Sequence, residues 1–205
     1  FEAGACLGIP AMTGYHAIAV SQATKGTTLL ISGGAGAVSQ YAIQFAKAAG
    51  ATVLATISSP EKAKAAQEVG ADHTINYISD DVGARVMEIT GKRGVDAVIE
   101  MDFAANAKLI PAVLRPKGSV IVYGTGAQVT MPAFFFLTNG IRVQFLLVYE
   151  LDSAERERAV SAITRALEQG TLANRVAQPT YTLADIAAAH EAVERGTIGN
   201  VVVRL

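Results

Sequence analysis

Apolar and polar positions fall along the chain in two periods that take turns. Short β-branched runs at residues 27–32, 52–57, 74–76, 97–100, 119–123 and 142–147 predict strands, the last of them beginning at Arg142. Between them, apolar residues recur at helical spacing over 37–49, 60–69, 82–90 and 105–114. Strands that alternate with helices imply right-handed βαβ units and a parallel sheet buried on both faces. Gly50, Gly70 and Gly118 fall where helix C-caps are expected, and Ser59 with Pro60 reads as an N-cap followed by a first-turn proline. After Glu150 the pattern shifts to a charged helix at 153–169, a strand at 175–181, a helix at 183–195 and a final strand at 198–205. No internal repeat and no low-complexity segment interrupts it.

One junction carries chemistry. At residues 27–39, TTLLISGGAGAVS, an apolar run stops at a cluster of glycines and an Ala-rich amphipathic run follows at once, which reads as strand, tight turn and helix. The spacing Gly34, Gly36, Ser39 is a GxGxxG pattern with its last glycine replaced. In a dinucleotide site the first position allows the sharp turn, the second lets a pyrophosphate approach the backbone, and the third keeps helix and strand close. The phosphates then sit on the free N–H groups at the start of the following helix. A glycine-rich structural turn explains the same residues, so the motif alone does not decide.

The end of the second strand discriminates between cofactors, because an acid there binds the ribose of NAD whereas hydroxyls and a cation accept the 2′-phosphate of NADP. Here the run is Thr56, Ile57, Ser58, Ser59, Pro60, Glu61, Lys62. Ser58 and Ser59 can donate hydrogen bonds and Lys62 can supply the charge, so NADP is favoured over NAD. Plainer readings exist for both: Ser59 as a helix cap and Lys62 as a solvated helix charge. Glu61 is acidic but lies after the helix start.

Composition bounds the remaining classes. The 205 residues suffice for one substantial core or one domain plus part of another. A net charge of −1 with 17% charged residues gives no basic face for nucleic acid or a membrane surface. The apolar runs at 131–137 and 145–149 are too short to span a bilayer. Cys6, alone, excludes an internal disulfide and a cysteine-only zinc site and fits a reducing, cytoplasmic setting. The opening, FEAGACLGIP, starts in mid-pattern without an initiator Met, as a fragment would.

Taken together, GACLGIPAMTGYHA, the glycine turn, KAAGATVLAT, EVGADHTINY and the ending GNVVVRL resemble the zinc-independent quinone oxidoreductases, the zeta-crystallin-like branch of the medium-chain dehydrogenase/reductase superfamily. The resemblance runs in one order over essentially the whole chain. It implies an α/β fold with a Rossmann-type, doubly wound parallel sheet over residues 1–147, of which 1–25 form an entry helix and hinge. Residues 148–205 are then the C-terminal α+β segment of a GroES-like catalytic domain whose N-terminal part precedes this chain.

Position by position, the resemblance places Thr13 beside the nicotinamide and Gly34, Ala35, Gly36, Ala37 and Val38 at the pyrophosphate turn. It places Ser58, Ser59, Lys62 and Tyr77 around the 2′-phosphate. Tyr123, Gly124 and Thr125 fall in the loop that touches ribose and nicotinamide, and Leu147, Val148 and Tyr149 along the carboxamide. Val38 and Leu147 also read as core residues, and Tyr149 as an interface residue. Asn200 stands where the family often has lysine, Ala37 and Ser39 where it has glycine, and Phe103 where it has a small residue that leaves the crevice open. Phe103 is expected either to wall the adenine and ribose crevice or to block part of it.

No metal is expected: the position of the catalytic cysteine ligand in zinc-dependent relatives is Ile9, and His16, His73 and His190 lack ligand spacing. His16 is expected to pack on the first helix and His73 to sit in a surface turn. The implied reaction is hydride transfer from NADPH to a quinone or an α,β-unsaturated carbonyl, with no catalytic residue assigned within this chain. The competing reading is a cofactor-binding or dimerisation module, incompetent by itself, that pairs with a second copy through an edge strand at 142–147. A methyltransferase also uses a glycine turn after its first strand, but leaves the Ser58, Lys62, Tyr77 set and the C-terminal pattern unexplained.

Overall fold

In a computed structural model, which describes residues 1–205, six strands form one parallel sheet in the order β3-β2-β1-β4-β5-β6. The strands are β1 (Thr28–Ile31), β2 (Thr52–Ile57), β3 (His73–Asn76), β4 (Val95–Glu100), β5 (Leu114–Val122) and β6 (Arg142–Phe145). The order reverses direction between β1 and β4, and ligands in such sheets sit at that switch point, beyond the strands' C-terminal ends.

Helices cover both faces. Short α1 (Glu2–Ala5) and a π-helical turn at Leu7–Ala11 lead into α2 (Met12–Ser21). Then come α3 (Ala37–Ala48), α4 (Pro60–Glu68), α5 (Val82–Ile89), α6 (Phe103–Asn106), α7 (Ile110–Val113) and α8 (Ala133–Asn139). The strands alternate between faces, as a sheet buried on both sides requires. Leu29, Ile31, Val53, Ala55, Ala97 and Ile99 join one core with α2 and α3. Leu30, Leu54, Val98, Val120 and Val122 join the other with Val86, Ile110 and Phe136.

The chain then forms α9 (Ser153–Glu168), β7 (Tyr181–Thr182), α10 (Ile186–Glu194) and β8 (Val203–Arg204). A reciprocal capping box between Asp152 and Glu155 starts α9, which buries Ala159 and Ile163. Strands β7 and β8 pair in parallel as a separate two-stranded sheet. Tyr41 on α3 donates to Asn174 Oδ1 at 2.6 Å, and Gln44 exchanges hydrogen bonds with the Ala173 backbone, so residues 173–174 are fastened to α3.

Several expected elements differ. The helix expected at 105–114 is broken into α6, a 3-10 turn at Ala107–Leu109 and α7, because Pro111 has no N–H to continue it. Gly118 caps no helix but lies inside β5, where the pairing with β4 slips between Val95 and Ala97 and Lys117 takes a φ of 62°. The strands expected at 175–181 and 198–205 do run side by side, through an isolated bridge between Val176 and Asn200. They shorten to two residues each because Pro179 cannot donate to the ladder. Helix α8 was hidden in an apolar run, and it ends on Gly140 at φ 60°. The last strand stops at Phe145, short of Leu147, and is the sheet's edge as expected. His73 begins β3 rather than sitting in a turn.

Candidate functional site

The turn after β1 is built by its glycines, with roles shifted by one position from those expected. Gly33, not Gly34, takes the left-handed conformation, at φ 61°. Gly34 is the close-approach glycine, since a Cβ there would lie 2.7 Å from that of Ala55 on β2 and 3.3 Å from that of Ala66 on α4. The turn satisfies its own first amides. Gly33 N–H donates to Thr56 Oγ1, Gly34 N–H to the Thr56 carbonyl, and Gly36 N–H to the Gly33 carbonyl.

What remains free is the start of α3. Gly36 is its N-cap and offers no side chain, and the first amide to find a helical partner is that of Gln40. The N–H groups of Ala37, Val38 and Ser39 therefore have no protein acceptor. By contrast, the helices after β2, β3 and β4 are capped by Ser59, Asp81 and Asp102. An uncapped helix start carries partial positive charge and unspent donors, the requirement for holding an anion.

A cavity of about 460 Å³ opens at this point, lined by Gly33, Ala35, Gly36, Ala37, Thr56, Ile57, Ser58, Lys62, Tyr77, Met101, Val193, Gly196, Thr197, Gly199, Asn200 and Val201. Lys62 is the sole charged side chain among them, and no carboxylate stands at the tip of β2. Lys62 Nζ donates to Ser58 Oγ at 3.0 Å, beside half-exposed Tyr77. Glu61 faces away: it is exposed, and its carboxyl is held below the usual range by a hydrogen bond from Ser59 and its own backbone amide. Ser59 caps α4 through the Lys62 amide at 3.3 Å.

The structure thus brings together Ala35, Gly36, Ala37, Ser58, Lys62, Tyr77 and Asn200 in one cavity. Gly34, Val38, Ser59, Thr13, Tyr123, Gly124, Thr125, Leu147, Val148 and Tyr149 lie outside its lining. Thr13 is buried and donates to the Ile9 carbonyl at 2.7 Å. Tyr123 reaches the turn from β5, its hydroxyl 3.0 Å from that of Ser39. Leu147 and Tyr149 are exposed. Asn200 is buried, with Nδ2 donating to the Arg175 carbonyl at 3.2 Å.

Phe103 neither walls nor blocks the crevice. It is 1% exposed in the core and stacks edge-on against Phe145, and the wall it was expected to form is supplied by Met101. Of the second wall, from Val193 to Val201, only Asn200 was expected at the site. One distant backbone hydrogen bond helps place it, from Gly199 N–H to the Ala35 carbonyl at 3.4 Å, and a Cβ on Gly196 would lie 3.1 Å from Lys62 Nζ. The two left-handed glycines of the GTIGN stretch, Gly196 and Gly199, were the signal in the sequence.

The residues do not fit a zinc ion. No group of three His, Cys, Asp or Glu side chains converges anywhere in the structure. Cys6 is buried, its thiol donating to the Glu2 carbonyl and pushed up by burial and then by Glu2. His16 is buried with Nε2 3.6 Å from Glu155, and desolvation lowers its pKa. No helix is long and apolar enough to cross a membrane.

A family model described as zinc-binding dehydrogenase matches residues 37–165. The 2-haloacrylate reductase of a Burkholderia species is 33% identical over 184 residues, 86% of this chain and 55% of the relative. Quinone oxidoreductase of Sus scrofa is 29% identical over 208 residues, 100% of this chain and 63% of the relative. The structure of Escherichia coli quinone oxidoreductase complexed with NADPH superposes with a TM-score of 0.89 at 25% identity, covering 100% of this chain and 65% of that one. The chain thus spans somewhat more than half the length of the relatives it matches.

Proposed function

The chain belongs to the zinc-binding dehydrogenase family, in the quinone oxidoreductase-like branch of the medium-chain dehydrogenase/reductase superfamily, and from that premise we propose that it is the NADP(H)-binding part of a reductase. The acceptor is a quinone or an α,β-unsaturated carbonyl, reduced without a metal in a reducing, cytoplasmic setting. The observation that carries this reading is the cavity itself: one lysine, no carboxylate, and the uncapped start of α3 in the same space.

In this reading the amides of Ala37, Val38 and Ser39 hold the pyrophosphate, and Ser58, Lys62 and Tyr77 hold the 2′-phosphate. Asn200 shapes the far wall. Thr13, Tyr123, Gly124, Thr125, Leu147, Val148 and Tyr149 are assigned to the nicotinamide end. Bound NADPH supplies the hydride. The chain's own contribution is to fix the dinucleotide and to keep anionic side chains away from its phosphates. Residues 148–205 are assigned to the C-terminal segment of a GroES-like catalytic domain.

A second reading, a cofactor-binding and dimerisation module without turnover, draws on the edge strand. Strand β6 is exposed along most of its length, and Phe134, Leu137, Phe145, Leu147 and Tyr149 stand exposed near it. We assign this face to a second copy of the chain. The chain alone is expected to bind NADPH without useful turnover on either reading, so the two separate on consumption of NADPH by the full-length protein with 1,4-benzoquinone or an enone as acceptor. Acceptor-dependent turnover supports the reductase, whereas NADPH binding without turnover supports the module.

A further inference from the structure

Glu100, at the end of β4, is a carboxyl group buried in the core without an ion-pair partner. It is 1% exposed, and none of the chain's ion pairs includes it. An anion in that position is costly, and a well-packed apolar side chain would serve the core as well or better. Its compensation is three hydrogen bonds of a particular arrangement. Oε2 accepts the Ser32 hydroxyl at 2.7 Å, while Oε1 accepts the Asp102 amide at 2.6 Å and the Asn106 side-chain amide at 2.9 Å.

Those partners sit on opposite lips of the cavity. Ser32 immediately precedes Gly33, and Asp102 immediately follows Met101, and both Gly33 and Met101 line the cavity. The two lips nearly touch, because a Cβ on Gly33 would lie 2.3 Å from the Met101 sulfur. Ser32 is otherwise held by its amide to the Ile99 carbonyl at 2.9 Å and by its carbonyl, which accepts the Ser39 hydroxyl at 2.8 Å. The carboxyl group therefore links the turn after β1 to the turn after β4 by side-chain hydrogen bonds, beside the packing of Met101 on Gly33.

We propose that Glu100 is a positioning residue for the dinucleotide, setting the spacing between the Gly33 and Met101 lips. It acts on ligands that lie along the turn and not on those confined to Ser58, Lys62 and Tyr77. This rests on the NADP(H) reading of the cavity. An apolar residue of the same volume could fill the core but could not hold Ser32.

The test compares two ligands by calorimetry on the chain as it stands: NADPH, which must pass the turn, and adenosine 2′-phosphate, which need only reach Lys62. Wild-type binding of both tests the underlying reading, and failure to bind either overturns that reading and this inference with it. Given wild-type binding, Glu100→Gln is expected to weaken NADPH at least tenfold while leaving adenosine 2′-phosphate within twofold. Ser32→Ala removes the hydrogen bond to the turn and keeps the carboxylate, whereas Glu100→Gln keeps the side chain's shape and sets an NH2 group among its donors; both are expected to give the split. It also replaces the first variant if Glu100→Gln does not fold. Equal weakening of both ligands would reduce Glu100 to a structural role and overturn the inference. So would tighter NADPH binding in Glu100→Gln with no change in Ser32→Ala, which would mean that the charge acts only by repelling phosphate.

Discussion

Ser39 and Tyr123 meet hydroxyl to hydroxyl at 3.0 Å across the C-terminal end of the sheet, and the proton between them has one owner. Ser39 spends its own proton on the Ser32 carbonyl at 2.8 Å, so Tyr123 is the donor and Ser39 the acceptor. The residue that replaces the third glycine of the motif thus adds a polar clamp between α3 and β5 where glycine would add only closeness.

Burial pushes the Tyr123 phenol up to about 12, with the Glu100 carboxylate adding to the rise and the Ser39 hydroxyl opposing it. Tyr41 is also raised to about 12, chiefly by burial. Because the folded value lies above the ordinary one of about 10, this stabilisation is complete below pH 10 and is lost as pH rises toward 12. In an ultraviolet pH titration of the six tyrosines, the Tyr123→Phe variant is expected to lose one late-titrating phenol and about 1 kcal/mol of stability. An unchanged late phase would contradict the assignment.

Gly124 admits no side chain. A Cβ there would lie 2.1 Å from the Met101 carbonyl oxygen, and that atom is backbone and cannot turn aside. Gly124→Ala is expected to destabilise the fold by about 2 kcal/mol or more in thermal melts. Gly8→Ala, where nothing lies within 4 Å, provides the comparison and is expected to melt within a degree or two of wild type.

At the opposite end of the sheet, Asp96 fastens β1, β4 and β5 together. Burial raises its carboxyl, but Arg93, the Thr28 amide and Arg115 bring it down to about 2. With the folded value below an unfolded one of about 3.9, the stabilisation is present above pH 4 and lost as pH falls toward 2. Asp96→Asn is expected to cost on the order of 1–2 kcal/mol at pH 7 and nothing further at pH 2. Denaturant melts at the two pH values check it, and an equal loss at both would contradict it.

Phe134 and Leu137 are each 78% exposed on α8, next to the edge strand. If that face pairs with a second copy, Phe134→Lys with Leu137→Lys is expected to convert a dimer to a folded monomer in sedimentation, with a melting temperature that no longer depends on protein concentration. A wild-type monomer would remove the pairing from the account.

Much of this was legible in the sequence because it is local. The strand β2 and the starts of α3, α4 and α5 follow from periodicity, and the Ser59–Pro60 cap from residue type. Ser58 and Lys62 followed from residue type at the end of the second strand and Tyr77 from resemblance, and geometry then placed the three in one cavity. What escaped notice is non-local. The exchange of roles between Gly33 and Gly34 depends on how closely Ala55 approaches, and the burial of Phe103 depends on Phe145, a partner 42 positions away. Apart from Asn200, which the resemblance placed at the site, the wall at Gly196 to Val201 lies far along the chain from the turn it faces, and no periodicity reports such a contact.

Lys62, in a cavity without a carboxylate, is the residue expected to select the phosphorylated dinucleotide. Calorimetric titration of the chain with NADPH and with NADH, repeated on Lys62→Ala, tests it most directly. The account predicts NADPH bound at least tenfold more tightly than NADH, with Lys62→Ala losing most of that preference and leaving NADH nearly unchanged. Equal affinities in the wild type, or a preference that survives Lys62→Ala, would contradict it.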